Sequence, residues 1–352
     1  MEPVKVGIVG CGVIGKKHIQ LALTIPTVEV VAIADLREEL VRDLAKKHGV
    51  PKAYTTAEAL IDDPEVQAVV LAMPTHVRTP LGVYTLKKGK HLLTEKPVAM
   101  NSGEVKQLMA AQPKGVVAAC CSCRHTSLPS AQTAAKLIAS GALGKLRVLR
   151  IRHLGAAGEA PKNPAPVWRL RKDLNGGGIL MNWGCYDLDY IMGVTGWRVR
   201  PRCVLARTWQ VAPHLASRAA PGSDAETHVA AVVLCDDDIA LTYERGEFMA
   251  AANESAWQVT GEKGSLRMPL VPRPGVEVMH DQSSDDVGVT SQSIWAGSEN
   301  WENVHTGPIA DFAAAIQEER EPMTSLARAL IVQQVADAIY DSAASGKCVE
   351  IK

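Results

Sequence analysis

Short apolar runs alternate with amphipathic stretches over the first 120 residues of the chain. Five of these runs are rich in β-branched residues, and they read VKVGIVG, VEVVAIAD, AVVLAMP, HLLTEKP and VVAACCS. Strands that alternate with helices in this way are typical of a parallel sheet with right-handed crossovers. Because the runs are apolar at almost every position, both faces of the sheet are expected to be buried. The pattern predicts an α/β, doubly wound parallel sheet.

The pattern changes after residue 123, where longer strands replace the short buried ones. Examples of these longer strands are RVLRIRHL, THVAAVVLCDDDIALTYERGEF and SAWQVTGEKGSLRM. Several such strands in succession favour an antiparallel, meandering arrangement. We therefore predict two domains. Residues 1–123 carry the parallel sheet, and residues 124–352 form an α+β domain with a large, open, mostly antiparallel sheet.

Charge and hydropathy narrow the classes of partner. The chain of 352 residues has 38 Lys and Arg against 38 Asp and Glu, with no basic stripe or acidic run. Binding to nucleic acid or a membrane surface is therefore not expected, and a small-molecule ligand is. The longest apolar runs fall well short of the roughly 20 residues that span a bilayer. No secretion signal precedes the first strand, so we expect a cytoplasmic protein.

The eight cysteines lie mostly inside apolar segments, as is typical of reduced thiols in a cytosolic protein. Cys120 and Cys123 form a C-x-x-C pair. A structural zinc site needs four ligands, and neither a second pair nor a histidine at ligand spacing accompanies these two. We therefore expect thiols of the core here and no metal.

A glycine-rich turn joins the first predicted strand to the first helix. Gly10, Gly12 and Gly15 form G-x-G-x-x-G, and Val13 and Ile14 stand between the last two glycines. The first glycine permits a tight turn, the second lets the backbone approach a pyrophosphate, and the third allows close packing of helix and strand. The helix N-terminus supplies N–H groups and a favourable dipole. The turn predicts a Rossmann domain that binds a dinucleotide.

The end of the second strand bears on which dinucleotide is bound. Asp35 lies there, twenty residues past Gly15, where a carboxylate can accept hydrogen bonds from ribose hydroxyls. Its charge would repel the 2′-phosphate of NADP, so NAD is the expected cofactor. Arg37 keeps NADP possible, because its side chain could reach that phosphate or stack on adenine.

Further motifs cover essentially the whole chain. They are AMPTHVRTPLGVYTLKKGKHLLTEKP, which ends in Glu95-Lys96-Pro97, and SGALGKL, VWR, GGG and ALIVQQVADAIYDSAASGKCVEI. Together with the glycine turn, they make the chain similar to the Gfo/Idh/MocA family of nicotinamide-dependent sugar and inositol oxidoreductases. The resemblance implies hydride transfer at a secondary carbon of a sugar or cyclitol. It also implies an uncovered sheet face in the second domain, and hence a homodimer or homotetramer.

The resemblance implies that Glu95-Lys96-Pro97 lines the nicotinamide pocket and that Lys96 contacts the reacting oxygen of the substrate. A cation at that oxygen stabilises the alkoxide that develops during hydride transfer. Glu95 has two interpretations, as a group that orients the cofactor amide or Lys96, and as a structural ion-pair partner. The loop that touches the cofactor in this family corresponds to three residues after a predicted strand, Pro74, Thr75 and His76.

Three further residues are candidates for binding substrate. Arg124 follows the strand that lines the pocket, where a substrate contact or an interdomain ion pair is as good an interpretation as a surface charge. Trp168 and Arg169 precede the glycine run 176–178 and could supply a stacking wall and a hydroxyl donor. A hydrophobic plug with a snorkelling arginine is the alternative.

The segment GGGILMNWGCYDLDYIMG departs from the family. Dehydrogenases of the family usually carry an Asp in it and, four residues later, a His that accepts the proton. Those positions hold Asn182 and Tyr186 here. Residues four apart share a helix face, so both are expected to face the substrate beside Lys96. Asn182 can orient a hydroxyl but cannot take a proton.

This departure leaves four mechanisms open. Our main prediction is that Tyr186 is the acid/base, in the direction of ketone reduction, because an ordinary phenol is a poor base at neutral pH but a competent proton donor. In the second, Lys96 carries the proton alone. The third is a sensor that binds dinucleotide and sugar without turnover. The fourth is a lyase or hydrolase that recycles bound NAD.

Overall fold

The computed structural model describes residues 2–162 and 166–352, and the chain forms two compact units. The first unit reaches from the start of the described chain to Arg124 and also takes in Trp301–Leu330. The second unit holds His125–Asn300 and Ile331–Lys352. The first break falls where the strand pattern changes in the sequence. The return of the chain to the first unit at Trp301 has no counterpart in the predicted division at residue 123.

The first unit is built on six parallel strands in the spatial order β3-β2-β1-β4-β5-β6. The strands are β1 (Val4–Val9), β2 (Val28–Ala34), β3 (Lys52–Tyr54), β4 (Ala68–Leu71), β5 (His91–Thr94) and β6 (Ala118–Cys120). The helices are α1 (Val13–Ala22), α2 (Glu38–His48), α3 (Ala57–Asp62), α4 (Thr75–Lys87), α5 (Ser102–Ala111) and α9 (Trp301–Gln317). The order reverses between β1 and β4, which confirms the predicted doubly wound Rossmann sheet.

Apolar side chains cover both faces of this sheet. Ala68 and Val70 of β4 belong to one buried cluster, and Val69 and Leu71 belong to the other. This division follows from the alternation of side chains along a strand. Burial of both faces explains why the strand sequences contain so few polar residues. Each fully buried Val or Leu contributes about 1.5–3 kcal/mol to folding.

The second unit is built on nine strands in the order β14-β13-β12-β11-β7-β10-β9-β8-β15. The central pair β7 and β10 is parallel, and the other neighbours pair antiparallel. The strands are β7 (Leu146–Ala156), β8 (Pro201–Trp209), β9 (His228–Cys235), β10 (Ala240–Met249), β11 (Glu254–Gly261), β12 (Gly264–Met268), β13 (Val276–Ser284), β14 (Gly288–Gly297) and β15 (Val349–Glu350). The large, mostly antiparallel sheet is confirmed.

Helices accompany this sheet, and one of them, α6, packs against β12, β13 and β14. The helices are α6 (Pro129–Ala139), α7 (Lys172–Asn175), α8 (Cys185–Val194) and α10 (Leu326–Ser345), whose first turn belongs to the first unit. On the opposite side, β8 and β9 expose Leu205, Val232 and Leu234. Among the described residues, no helix is long and apolar enough to cross a membrane.

Candidate functional site

The turn between β1 and α1 is shaped by its glycines. Gly10 has a φ of +92°, and a Cβ on Gly15 would lie 1.7 Å from the Gly10 carbonyl oxygen, so neither position accepts a larger residue. Gly12 differs, because no other part of the described chain lies within 4 Å of where its Cβ would stand. Helix α1 begins next, at Val13 and Ile14, without a side-chain cap. The turn therefore offers open space and N–H donors that fit a pyrophosphate.

Asp35 lies directly after β2 and is held in place by its neighbours. Its carboxylate accepts the Cys11 backbone N–H at 2.8 Å and the Arg37 side chain at 2.8 and 2.9 Å. The Arg37 side chain is the main cause that lowers the pKa of Asp35 to about 2. The carboxylate is therefore ionised at neutral pH and can accept hydrogen bonds from ribose hydroxyls. The exposed Arg37 side chain is already hydrogen-bonded to it.

Pro74, Thr75 and His76 lie at the same edge of the sheet. Pro74 precedes α4, which begins at Thr75. The strands before this segment and before the glycine turn, β4 and β1, are parallel neighbours, so their carboxyl ends point the same way. Thr75 is buried and His76 is exposed. All three stand at the sheet edge where dinucleotides bind in open parallel sheets.

A buried arginine holds the backbone on both sides of Lys96. Arg78, on α4, is only 2% exposed. Its guanidinium donates to the Glu95 carbonyl, to the Pro97 carbonyl at 2.5 Å and to the Thr75 hydroxyl at 3.0 Å. The Lys96–Pro97 peptide bond is cis, and Lys96 itself is half-buried. The first turn of α4 is thus tied to the two carbonyls that flank Lys96. Sequence reasoning missed Arg78, because one arginine in an amphipathic helix is usually a surface residue.

The Glu95 carboxylate is the centre of a buried charge cluster. It accepts the His18 Nε2 at 2.7 Å, the Arg124 guanidinium and the Lys96 backbone N–H at 3.0 Å. Burial by itself would raise the pKa of Glu95, but Arg124, His18 and Lys96 hold it below its usual value. Arg124 is buried and paired within its own unit, so it is not the surface charge that was one of its interpretations. Glu95 is an ion-pair partner that also fixes the Lys96 peptide.

This cluster includes a possible metal-binding group. In the described parts of the chain, ligand atoms of His18, Glu95 and Cys121 lie within 4.8 Å of one another. The Arg124 guanidinium, however, binds the same Glu95 oxygen as His18. Burial also raises the pKa of the Cys121 thiol well above its usual value, which disfavours the thiolate a metal needs. The group suits a neutralised ion pair better than a metal.

The glycine run 176–178 allows the chain to close on a buried carboxylate. Glu226 accepts the backbone N–H of Gly178 at 2.9 Å, that of Leu180 at 3.0 Å and the Tyr340 hydroxyl at 2.9 Å. A Cβ on Gly178 would lie 1.9 Å from the Glu226 carbonyl oxygen, and one on Gly177 would lie 1.9 Å from the Tyr340 hydroxyl. Burial raises the pKa of Glu226. The carboxylate caps the helix that follows.

That helix begins with a π-helical turn, Leu180–Gly184, which continues into α8. Asn182 lies in the π turn and is half-buried, whereas Tyr186 is 5% exposed in the first turn of α8. The Tyr186 ring packs edge-on against Trp183 and His125, with ring centroids 5.5 and 5.2 Å away. Irregular turns of this kind often occur at functional sites. The hydrophobic pattern predicts the helix but not the wider turn or its aromatic neighbours.

Two aspartates on α8 have buried partners. Asp187 pairs with Arg245 at 2.7 Å and accepts the Trp257 Nε1–H at 3.2 Å. The Arg245 guanidinium also lies 4.7 Å from the Trp183 ring centroid. Asp189 accepts the Thr126 hydroxyl at 3.1 Å. Asp187 is therefore neutralised by Arg245 of the second unit, and Asp189 has a hydrogen-bond donor in the same unit.

Trp168 and Arg169 lie in a 3₁₀ turn, Val167–Leu170, before α7. Trp168 is 37% exposed, and Arg169 forms an ion pair with Glu247, near the end of β10. No donor in the described parts of the chain reaches the buried Oε1 of Glu247. Glu247 was missed by sequence reasoning, because only the fold brings β10 to this turn.

The candidate residues fall into two groups. The first unit carries four of them directly after its parallel strands: the glycine turn, Asp35, the segment 74–76 and Lys96. Arg124 belongs to the same unit and is buried. The second unit carries Trp168, Arg169, Asn182 and Tyr186. That Lys96 and Tyr186 meet at one substrate stays a prediction.

Comparison with protein families finds two matching models. Residues 4–120 match an oxidoreductase family with an NAD-binding Rossmann fold, and residues 131–267 match the GFO/IDH/MocA C-terminal domain. The residue types at the glycine turn and Asp35 fit the cofactor that the first description names. NAD, predicted from these residues, agrees with that description.

Individual relatives were also compared. Levoglucosan dehydrogenase of Pseudarthrobacter phenanthrenivorans is 24% identical over 100% of this chain and 99% of its own length. Myo-inositol 2-dehydrogenase of Thermotoga maritima is 30% identical, over 54% of this chain and 55% of its own length. A structure of levoglucosan dehydrogenase in complex with NADH has a TM-score of 0.87 at 22% identity and covers 100% of both chains. That likeness shows a shared fold.

Proposed function

We propose that this chain, which belongs to the GFO/IDH/MocA family of oxidoreductases, oxidises or reduces a secondary carbon of a sugar or cyclitol with NAD. Relatives that act on such compounds, levoglucosan dehydrogenase and myo-inositol 2-dehydrogenase, support the substrate class. One observation carries the proposal. Lys96 follows β5 at the same sheet edge as the glycine turn after β1, so a cation stands at the edge where dinucleotides bind.

Lys96 is proposed to bind the reacting oxygen. Bound NAD supplies the redox chemistry by accepting or giving a hydride. Lys96 donates a hydrogen bond to the substrate oxygen and stabilises the negative charge that builds on it. Arg78 and the Glu95 carboxylate fix the Glu95–Lys96 peptide group, and Arg78 also binds the Pro97 carbonyl, so the backbone that carries the donor is held in place before the reaction begins. Loss of one such prepositioned donor typically lowers the rate 10²- to 10³-fold.

Tyr186 is proposed to supply the proton in ketone reduction. Its hydroxyl replaces the histidine usual in the family, and Asn182 holds a neighbouring substrate hydroxyl. Trp183 and His125 pack against the Tyr186 ring and restrict its orientation. A phenol gives up a proton to a developing alkoxide more readily than it takes one from an alcohol at neutral pH. The expected direction is therefore reduction.

Recognition of the substrate is assigned to the turn that carries Trp168 and Arg169. The Arg169–Glu247 pair offers guanidinium donors and a carboxylate acceptor, which suit the hydroxyls of a sugar or cyclitol. The indole ring of Trp168 can pack against the C–H groups on one face of the sugar or cyclitol. Arg124 acts through Glu95 in this proposal, because its guanidinium is engaged there.

The test is an assay of nicotinamide absorbance with sugars, inositols and keto-sugars, with NAD(H) and NADP(H). We expect turnover with at least one of them and a loss of at least 10²-fold in Lys96→Ala. Lys114→Ala, at an exposed position of the same unit, is the control that should keep full activity. Ligand binding without turnover would support the sensor instead. Product formed with no net absorbance change would support a lyase or hydrolase that recycles NAD.

We also propose that a second copy of the chain covers the open sheet face. Leu205, Val232 and Leu234 are 54%, 46% and 52% exposed there, on adjacent strands. A continuous apolar patch of this kind on a folded surface favours burial against a partner. Light scattering of the purified protein is expected to give the mass of a dimer or tetramer, and the mass of a single chain would contradict the proposal.

A further inference from the structure

Residues 224–227, directly before β9, bind two parts of the second unit through their backbone. The Leu170 carbonyl accepts two N–H groups of this segment, at 3.0 and 3.1 Å, and Leu170 ends the turn to which substrate recognition is assigned. The Thr227 carbonyl accepts the Glu247 N–H at 2.8 Å. The segment is therefore bonded both to the turn that carries Arg169 and to the ion-pair partner of Arg169.

Glu226, within this segment, binds the start of the helix that carries Asn182 and Tyr186. Its carbonyl accepts the Ile179 N–H at 2.9 Å, and its carboxylate accepts the N–H groups of the two residues that flank Ile179, at 2.9 and 3.0 Å. The N–H groups of a first helical turn have no partner within the helix. One residue of another element thus binds three successive donors at the start of this helix.

This cap differs from a local one in what it fixes. Helix α5 is capped by Asn101, which directly precedes it and accepts the Glu104 N–H at 3.0 Å. Such a cap fixes a helix only relative to its own loop. Glu226 follows the helix start by 46 residues, so it fixes that start relative to β9. The contact continues to Asn182, whose N–H donates to the Gly178 carbonyl at 2.9 Å.

The glycine run permits this close contact. A Cβ on Gly178 would lie within 3 Å of three backbone atoms of Glu226. The Tyr340 hydroxyl donates to the Glu226 carboxylate at 2.9 Å and occupies the space beside Gly177, where a Cβ would lie 1.9 Å from it. The run thus allows the approach of Glu226 and of its third donor.

We propose that Glu226 is a positioning residue that sets the place of Tyr186 and Asn182 relative to the Arg169–Glu247 pair. The inference rests on the proposed function, in which Tyr186 donates the proton and the pair binds substrate hydroxyls. Both parts are bonded to the same segment before β9, the helix through Glu226 and the pair through the neighbouring backbone. A displacement of about 1 Å between reacting groups can lower a rate about 10²-fold. Glu226 itself does not contact the substrate in this proposal.

The main test is Glu226→Gln in the full chain. Glutamine keeps the shape of the side chain, but an NH2 group replaces one of the two oxygens that accept N–H groups. We expect kcat for reduction of a keto-sugar, corrected for the folded fraction, to fall about 10- to 10²-fold. NADH affinity should stay unchanged, because the glycine turn and Asp35 belong to the first unit. Tyr340→Phe, which removes only the third donor, should lower kcat less.

Ser342→Ala on α10 is the matched control. Ser342 is fully buried, accepts the Ala206 N–H at 2.9 Å and donates to the Lys347 carbonyl at 2.7 Å, so its loss also leaves a buried N–H without an acceptor. We expect this variant to lose stability and to keep kcat. A Glu226→Gln protein that behaves in the same way would overturn the proposal, since Glu226 would then only stabilise the fold.

The double variant Tyr186→Phe/Glu226→Gln tests the route of the effect. Because Glu226 acts through Tyr186, the kcat of the double variant should lie within about twofold of that of Tyr186→Phe alone. Losses that add in full would contradict the proposal.

Hydrogen exchange of the backbone over residues 178–186 needs no substrate, so it separates this proposal from the proposed function. Exchange should be faster in Glu226→Gln than in the unaltered protein and should be unchanged in Ser342→Ala. If the unaltered protein turns over no substrate, the proposed function fails, while faster exchange in Glu226→Gln still supports a helix start fixed by Glu226. Exchange that stays the same in Glu226→Gln would refute the positioning role.

Discussion

The backbone around Lys96 and the helix that carries Tyr186 both rest on buried ion pairs, but they use them differently. In the first unit, the carboxylate of Glu95 accepts the N–H of Lys96 itself while it pairs with Arg124. In the second unit, Asp187 pairs with Arg245 beneath Trp183, and the residues proposed to face substrate are a neutral amide and a phenol. In the first region, the buried ion pair supports the backbone of a cation, Lys96, that is proposed to contact substrate. In the second region, the buried ion pair lies beneath residues that carry no charge.

The two regions therefore suit different parts of the proposed chemistry. A fixed cation can stabilise a developing alkoxide but should not be consumed by the reaction. A phenol can lose a proton and regain it from solvent. The first region therefore suits charge stabilisation, and the second suits proton transfer.

The largest effect is expected from Arg78→Ala, which breaks the first region. It removes the donor to the Pro97 carbonyl and leaves the Glu95 carbonyl with only the Thr94 hydroxyl, at 3.3 Å. A buried carbonyl left without a donor costs about 1–3 kcal/mol. We expect the free energy of unfolding to fall by about 3–5 kcal/mol and kcat to fall on the order of 10²-fold, because the Lys96 peptide loses its position. Urea titration and steady-state kinetics measure both.

The matched control for that change is Arg42→Ala on α2, whose side chain is 73% exposed in its pair with Glu38. Exposed pairs of this kind contribute less than about 1 kcal/mol. If Arg78→Ala were as stable as Arg42→Ala, Arg78 would not hold the backbone around Lys96.

A smaller loss is expected from Asp187→Asn, which breaks the second region. It leaves the Arg245 cation buried without its carboxylate, at a cost of about 3 kcal/mol. NADH affinity should not change, since both residues belong to the second unit. Urea titration and fluorescence titration with NADH test the two parts. The double variant Asp187→Leu/Arg245→Met should recover part of the stability, and no recovery would contradict the ion-pair account.

A change in cofactor preference is expected from Asp35→Ser. The variant removes the ribose acceptor and releases Arg37 from its pair with Asp35. A lost hydrogen bond to a charged group is worth about 1.5–3 kcal/mol, so NADH affinity should fall about 10-fold or more while NADPH affinity rises. Fluorescence titration with both nucleotides measures the ratio. Asp43→Ser, exposed on α2, is the control, and a ratio equal to that control would refute the role of Asp35.

The smallest expected effect is a dependence of the free energy of unfolding on pH, caused by one histidine in each unit. Burial is the main cause that lowers the pKa of His305 in the first unit and of His153 in the second from 6.5 to about 4. A histidine with a depressed folded pKa binds protons more weakly when folded. Stability is therefore full above pH 6.5 and falls as the pH drops from 6.5 toward 4. We expect on the order of 1 kcal/mol from each half-buried ring, and His153→Gln should flatten part of this slope in urea titrations at several pH values.

The fold was predictable because its pattern is local. The apolar strands, the glycine turn and Asp35 lie close together in the first part of the sequence, and each has one dominant physical interpretation. The return of Trp301–Leu330 to the first unit could not be predicted, because a helix sequence does not show which sheet it will cover.

The sequence names candidate site residues only where a single residue in a motif suggests a chemical role. Lys96 and Tyr186 were named in this way, and their roles stay predictions. Arg78, Glu226 and Glu247 could not be named, because each acts through partners that are distant in sequence, and a lone charged residue is usually exposed. The π turn at Asn182 also leaves no mark in the hydrophobic pattern.

The most direct test of the division is Tyr186→Phe, assayed in ketone reduction with NADH and a keto-sugar that the unaltered protein turns over. Tyr190→Phe, on the same helix, removes a hydroxyl bound to the Pro269 carbonyl and serves as the control. The account predicts that kcat falls 10²- to 10⁴-fold in Tyr186→Phe, with NADH affinity unchanged, and stays near normal in Tyr190→Phe. Equal reduction rates in Tyr186→Phe and the unaltered protein would contradict it.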